Sequence, residues 1–136
     1  MRVCVVGLGK IGLPLAAQYA SKGLSVVGCD ADAELVSQVN GGRCPLVGEM
    51  GLASRIRRAV AVDLLRATAD TASAARDAQV VVIIVPVGLT ADHRPDFSLL
   101  DQAAAAVAGG LTKDALVILE TTVTVGTTRG RLGPAL

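Results

Sequence analysis

Gly7, Gly9 and Gly12 fall at Gly-x-Gly-x-x-Gly spacing in Gly7-Leu8-Gly9-Lys10-Ile11-Gly12. The motif follows an apolar run, Val3-Cys4-Val5-Val6, and opens into a helix-forming stretch from Pro14 to Ala20. In that context each glycine has its own task. Gly7 permits a tight turn after a strand, Gly9 leaves bare backbone that a pyrophosphate can approach, and Gly12 lets the helix pack close to the strand. The helix start, with the backbone of Lys10 and Ile11, offers unpaired N–H groups and the positive end of a dipole to phosphates. A second apolar run, Val26-Val27, ends near Asp30, roughly 20 residues after the glycines. An acid there accepts hydrogen bonds from the hydroxyls of an adenosine ribose. It also sets a negative charge where the 2′-phosphate of NADP would lie, and neither Ala31 nor Asp32 supplies a cation to offset it. The implied chemistry is dinucleotide binding, with NAD preferred to NADP. The competing reading of Asp30 is as the N-cap of the next helix, a role equally open to Asp32. The competing reading of the glycines is a turn that binds nothing.

These residues need a frame, and the hydropathy pattern supplies one. Strands are expected at residues 2–6, 25–29, 65–69, 80–85 and 115–119, and helices at about 11–22, 32–40, 51–61, 71–75 and 99–108. Gly23, Gly41-Gly42 and Gly109-Gly110 act as helix stops. Residues 80–85 form a continuous apolar run, as in a strand buried on both faces. Alternating strands and helices imply an α/β Rossmann-type fold, a doubly wound parallel sheet with helices on both faces. Five strands are counted against the usual six in the order 3-2-1-4-5-6. The expectation is therefore one dinucleotide-binding domain over residues 1–136 that lacks the last strand and leaves a sheet edge open to association as a homo-oligomer. Its ligand crevice should lie between the first strand and the 80–85 strand, rimmed by Gly7 to Gly12, by Val85-Pro86 and by the loop after Leu119.

Composition narrows the function further. Of the 136 residues, 51% are hydrophobic but only 1% aromatic, so the core must be aliphatic. A net charge of +1 gives no electrostatic case for nucleic acid or an acidic membrane surface. The longest apolar run is far short of the ~18 residues a membrane span requires. The N-terminus enters a strand directly, without a signal-peptide core. Cys4, Cys29 and Cys44 fit neither a metal pattern nor a disulfide framework, which suggests a reducing cytoplasm and no metal site. Cys4 is expected in the core, and none of the three is read as a nucleophile. Arg55, Arg57 and Arg58 are read as a solvated helix face, and His93 as a solvated loop residue.

Several motifs beyond the glycines carry a resemblance. They are Val5 to Ala16, Gly48-Glu49-Met50-Gly51-Leu52, Leu65-Arg66-Ala67-Thr68, Val85-Pro86 and Arg94-Pro95-Asp96-Phe97-Ser98. The most specific is Glu120-Thr121-Thr122-Val123-Thr124-Val125-Gly126-Thr127-Thr128, which is similar to Glu-Ser-Thr-Val-Pro-Pro-Gly-Thr-Thr. The chain resembles the N-terminal NAD-binding domain of the UDP-glucose/GDP-mannose dehydrogenases, over nearly its whole length. The resemblance implies oxidation of a nucleotide sugar's C6 alcohol to a carboxylate, with two NAD molecules each taking a hydride and a cysteine holding a thioester between the steps. It places Thr122 near the nicotinamide, where it helps to position the catalytic water. A bond within its own loop is the other reading of Thr122. Glu120 is read as ending its strand rather than as a base.

The departures are local. Val87-Gly88 replaces a Thr-Pro, Thr124-Val125 replaces two prolines, and Met50 replaces a proline. The family's catalytic cysteine and lysine lie in later domains with no counterpart here, so the nucleotide-sugar partner would be engaged through domains outside this chain. Two alternatives carry the same glycine fingerprint. One is a regulatory NAD-binding module of the potassium-channel gating type, and the other is a different NAD-dependent dehydrogenase, of hydroxyacyl or phosphogluconate type. The late Glu-Thr-Thr motif and the Arg94-Pro95-Asp96 loop argue against the gating module.

Overall fold

The computed structural model describes residues 1–136. It begins with β1 (Arg2–Val6), α1 (Gly12–Ser21), β2 (Ser25–Cys29), α2 (Ala33–Asn40) and α3 (Leu52–Ala61). Then come β3 (Leu65–Thr68), α4 (Thr71–Arg76), β4 (Val80–Ile83), β5 (Gly88–Leu89) and β6 (Pro95–Asp96). The chain closes with α5 (Ser98–Ala108), β7 (Leu116–Leu119), a π-helical turn at Thr128–Leu132 and a last helical turn at Gly133–Ala135.

Five strands form one sheet in the order β3-β2-β1-β4-β7, and every pairing is parallel. This is the doubly wound arrangement expected from the alternation, and it sets β1 beside β4 at the centre. Strand periodicity divides the core in two. Val3, Val5 and Val82 face the side covered by α1, α2 and α3, together with Leu13, Ile56 and Leu65. Cys4, Val6, Val81 and Ile83 face the side covered by α4 and α5, with Leu100, Ala104 and Val107. The helices meet the sheet through alanines, notably Ala16, Ala17 and Ala20 of α1 and Ala103 and Ala104 of α5. Small side chains let the helices come close, so the core fills without aromatic bulk.

Helix ends follow local chemistry. After α1, Gly23 takes a φ of +84°, the left-handed conformation that glycine enters without a Cβ penalty. Its N–H donates to the Ala20 carbonyl while that of Leu24 donates to Tyr19, which together tie off the last turn. At the sheet's β3 edge, the Asn40 side chain donates to the Ala67 carbonyl at 2.9 Å and accepts from the Ala67 N–H at 2.7 Å. A side-chain amide thus takes the place of a neighbouring strand along part of that edge.

Three details differ from the sequence expectation. β4 ends at Ile83 rather than at residue 85. Its neighbour β1 turns away at Gly7, so the Ile84 N–H takes the Val6 carbonyl at 2.8 Å and Val85 has no strand to pair with. The loop over 88–96 contains a small antiparallel hairpin, β5 against β6. On β7, Leu116 and Ile118 are exposed, since no helix of this chain covers that side of the sheet's edge.

Candidate functional site

A cleft of about 450 Å³ opens at the carboxyl ends of β1, β2 and β4, where the sheet order reverses. Gly7, Gly9, Asp30, Val85 and Pro86 all line it. The structure thus brings five of the sequence-identified positions to one place.

The three glycines are required for three distinct reasons. Gly7 has a φ of +95°, and a Cβ there would overlap the Ile84 carbonyl oxygen. A Cβ on Gly12 would overlap the Gly7 carbonyl oxygen, so α1 can seat on the turn only without one. Gly9 meets nothing within 4 Å. Nothing inside the protein requires glycine there, and its bare face is exposed to the cleft. The N–H groups of Gly9, Lys10 and Ile11 donate to no protein acceptor. They are free donors at the positive end of α1, the arrangement that receives phosphate.

Asp30 stands opposite this cradle, just past β2. One carboxylate oxygen accepts from the Leu8 N–H at 2.8 Å and the other from the Asp32 N–H at 3.0 Å. The N-cap of α2 is Asp32, whose Oδ1 accepts from the N–H groups of Glu34 and Leu35. Of the two acids, therefore, Asp32 holds the helix and Asp30 is left at the cleft. Two of the four lone-pair positions of Asp30 are in use, and the rest can take ribose hydroxyls.

Other predicted residues stand elsewhere. Lys10 lies over a second cavity of about 440 Å³ with Pro45, Leu46, Val47 and Glu49. Ile11 is 63% exposed beside the helix start. Thr122 is exposed and outside the lining of the main cleft. The hydrogen bonds within its loop belong to Thr124 and Thr127, whose hydroxyls are 3.0 Å apart. Glu120 follows β7, its N–H bonded to the Ile83 carbonyl, and its side chain is exposed. His93 and Arg55, Arg57 and Arg58 are exposed, as a solvated loop and helix face should be.

Sequence reasoning missed four contributors. Gly28 sits in mid-strand, and a Cβ there would strike the Leu8 side chain. Leu8 is completely buried and anchors the glycine turn from beneath. A lone glycine inside a strand signals such close approach and could have been read. Thr71 at the start of α4, and Gln102 and Ala106 on α5, form the far wall. They reach it only through the crossover topology, which local pattern does not reveal.

Cleft, bare glycine and terminal acid define a dinucleotide-binding Rossmann-type domain. Residues 1–135 match the NAD binding domain of the UDP-glucose/GDP-mannose dehydrogenase family, and the chain belongs to that family. Its cofactor is NAD. A UDP-N-acetyl-D-mannosamine dehydrogenase of Escherichia coli K12 is 40% identical over 126 residues, covering 93% of this chain and 29% of the relative. A solved UDP-D-ManNAc dehydrogenase from Pyrococcus horikoshii is 36% identical with a TM-score of 0.88, over 94% of this chain and 30% of that one. A GDP-mannose dehydrogenase from Pseudomonas aeruginosa superposes with a TM-score of 0.94 over 99% of this chain and 31% of that one. At 24% identity that last likeness bears on the fold alone. The chain thus spans about three tenths of the length of these relatives. No helix is long and apolar enough to cross a membrane.

Proposed function

We propose that this chain is the cofactor half of a nucleotide-sugar 6-dehydrogenase that oxidises the C6 alcohol of a UDP-N-acetylhexosamine, of the mannosamine class, to the uronate. The observation that carries this reading is the open face of Gly9 set across one cleft from the free oxygens of Asp30. The 40% and 36% identities to UDP-N-acetylmannosamine dehydrogenases support the choice of sugar over glucose or mannose. NAD supplies the hydride acceptor. Gly7 and Gly12 shape the turn, while Gly9, Lys10 and Ile11 give their N–H groups to the pyrophosphate. Asp30 takes the adenosine ribose and disfavours a 2′-phosphate. Val85 and Pro86 back the cofactor where β4 ends, and Thr122 serves the nicotinamide end together with the remaining domains. The three cysteines are free thiols, which suits a reducing cytoplasm. Leu116 and Ile118, exposed on β7, offer apolar surface to the remaining domains of the whole enzyme.

The test is a chimera in which this chain replaces the matching 126 residues of the Escherichia coli relative. It should reduce NAD with UDP-N-acetyl-D-mannosamine, and more slowly with UDP-glucose and GDP-mannose. A folded, NAD-binding chimera that reduces NAD with none of the three would overturn the proposal. Preference for UDP-glucose would overturn the choice of sugar.

A further inference from the structure

Cys4 and Cys29 are 25 positions apart in sequence, yet their sulfurs lie 3.6 Å apart between β1 and β2. The parallel register sets Cys4 against Val27 and Cys29 against Val6, so the two cysteines are diagonal neighbours on one face of the sheet. Both are buried, Cys4 wholly and Cys29 to within 1%, and of the two only Cys29 lies in the wall of the cleft, immediately before Asp30. The third thiol, Cys44, belongs to the core on the other face of the sheet.

We propose that Cys4 and Cys29 form a dithiol modification site for two-electron oxidants of the peroxide class, and that the disulfide they form impairs the NAD cleft. The sulfur of Cys29 attacks one peroxide oxygen and the O–O bond breaks. Cys29 becomes a sulfenic acid, and the departing hydroxide leaves as water with the thiol proton. The sulfur of Cys4 then attacks the Cys29 sulfur, and the S–S bond forms as the sulfenic hydroxyl leaves with the Cys4 proton as a second water. Two thiols lose two electrons and two protons, and one hydrogen peroxide becomes two waters.

Cys29 reacts first because it is the thiol that borders the cleft. Its environment agrees: the bond from Cys4, the Thr71 hydroxyl and the Arg66 charge hold its thiol below the ordinary range against the cost of burial. The same bond, with burial, pushes the Cys4 thiol far up and keeps it protonated, so Cys4 is not the thiol that attacks peroxide.

Closing the pair to a bonding distance near 2.05 Å requires about 1.5 Å of movement. Cys4 lies in the middle of β1, hydrogen-bonded between β2 and β4, and is held. Cys29 is paired too, with Val6 of β1 and Thr68 of β3, and its carbonyl accepts from the Gly7 N–H at 2.8 Å, but it is the last residue of β2, so closure strains that strand end and carries Asp30 with it. Asp30 is clasped to the Leu8 N–H, so the displacement reaches the glycine turn as well. A cofactor lying over Cys29 would in turn shield it from peroxide. The coupling to NAD rests on the cofactor reading above, and disulfide formation does not.

The experiment uses the chain with Cys44→Ser, treated with hydrogen peroxide. Its readouts are intact mass, alkylation of the denatured protein and NAD titration. The oxidised protein should lose the mass of two hydrogens and resist alkylation. Its NAD dissociation constant should rise at least about tenfold, and dithiothreitol should reverse all three changes. Saturating NAD should slow the mass change. Adding Cys4→Ala should abolish the peroxide effect on affinity and leave reduced binding at the parent level, with Cys4→Val as the second variant should the alanine form not fold. Added oxygen mass without a disulfide, or unreacted thiols, would overturn the site. A disulfide with unchanged NAD affinity would overturn its effect on the cleft. If the reduced chain bound no NAD, the cofactor reading would fail while the mass readout still decided the dithiol.

Discussion

The carboxylate of Asp30 accepts a hydrogen bond from the N–H of Leu8 at 2.8 Å, across the gap between the end of β2 and the glycine turn. The acid proposed to take the ribose therefore also holds the glycine turn in shape. Leu8 is locked in turn by its buried side chain over Gly28. In the proposed function recognition and preorganisation thus share one side chain, and its removal should be felt twice.

Asp30→Ala should lower stability by about 1–3 kcal/mol, because the Leu8 N–H loses its acceptor. It should also weaken NAD and narrow the gap between NAD and NADP. Thermal unfolding reads the first effect and calorimetric titration with both cofactors reads the second. Equal affinity of the parent chain for NAD and NADP would remove Asp30 as the discriminator.

Gly9 and Gly12 should separate binding from folding. Gly9→Val meets open space, so the melting temperature should stay near that of the parent while NAD binding is nearly abolished. Gly12→Ala forces a Cβ onto the Gly7 carbonyl, so α1 must shift and stability should fall by several kcal/mol. A Gly9→Val chain that still binds NAD like the parent would show that the pyrophosphate does not cross that face.

Asn40→Ala should cost about 1–3 kcal/mol through two lost hydrogen bonds to the β3 edge, with no change in NAD affinity. Asn40→Asp keeps the acceptor for the Ala67 N–H but sets a lone pair against its carbonyl, so it should recover only part of the loss. Denaturant unfolding of the three proteins checks the order, and equal midpoints would show that the edge is held by something else.

The fold was legible because five strands each announce themselves by aliphatic runs and the glycines mark the turns between them. The cradle was legible for the same reason, since its parts lie within one βαβ unit. What escaped was long-range. Asn40 reads as an ordinary helix-end residue until β3 is laid beside it. Cys4 and Cys29 look unrelated until the register makes them neighbours. β4 was overestimated because Ile84 and Val85 share its apolar character, whereas a strand ends where its partners turn away. Thr122 owes its assignment to resemblance, and its loop lies beyond the main cleft.

Arg131 should set the charge state of Asp101. Its Nε donates to Asp101 Oδ1 at 2.7 Å, its Nη2 donates to Oδ2, and its guanidinium lies 4.5 Å from the Phe97 ring centre. These contacts pin the C-terminal turn to α5 and hold the Asp101 carboxyl below its usual range, chiefly through the hydrogen bond from Arg131. A pKa lowered by folding adds stability above the ordinary carboxylate value of about 3.9 and loses it as pH falls through the folded value. The Thr128–Leu132 turn should therefore loosen only in acid below about pH 3.9. Arg131→Ala should return Asp101 to its ordinary range with little change in stability at neutral pH, because both side chains are nearly half exposed. Carboxyl-carbon NMR titration follows Asp101 directly, and an unmoved midpoint in the variant would refute the assignment.

This chain by itself should bind NAD and yet oxidise no nucleotide sugar. Its thiols are not free to serve: Cys4 and Cys29 are buried against each other, Cys29 at the Asp30 end of the cleft, and Cys44 donates to the Leu46 carbonyl at 3.4 Å. None is placed to hold a thioester beside a nicotinamide. In the proposed function the main cleft takes the adenosine and pyrophosphate of the cofactor, and its walls offer few polar groups to orient a sugar. Holding substrate against cofactor can contribute roughly 7–11 kcal/mol to lowering a barrier, and that requires both halves of a site. The assay is NADH formation by the purified 136-residue chain with UDP-N-acetyl-D-mannosamine, UDP-glucose or GDP-mannose. Calorimetry should show NAD binding in the same preparation. Turnover clearly above the protein-free rate would mean that the chain carries a complete active site, and the division of labour proposed here would be wrong.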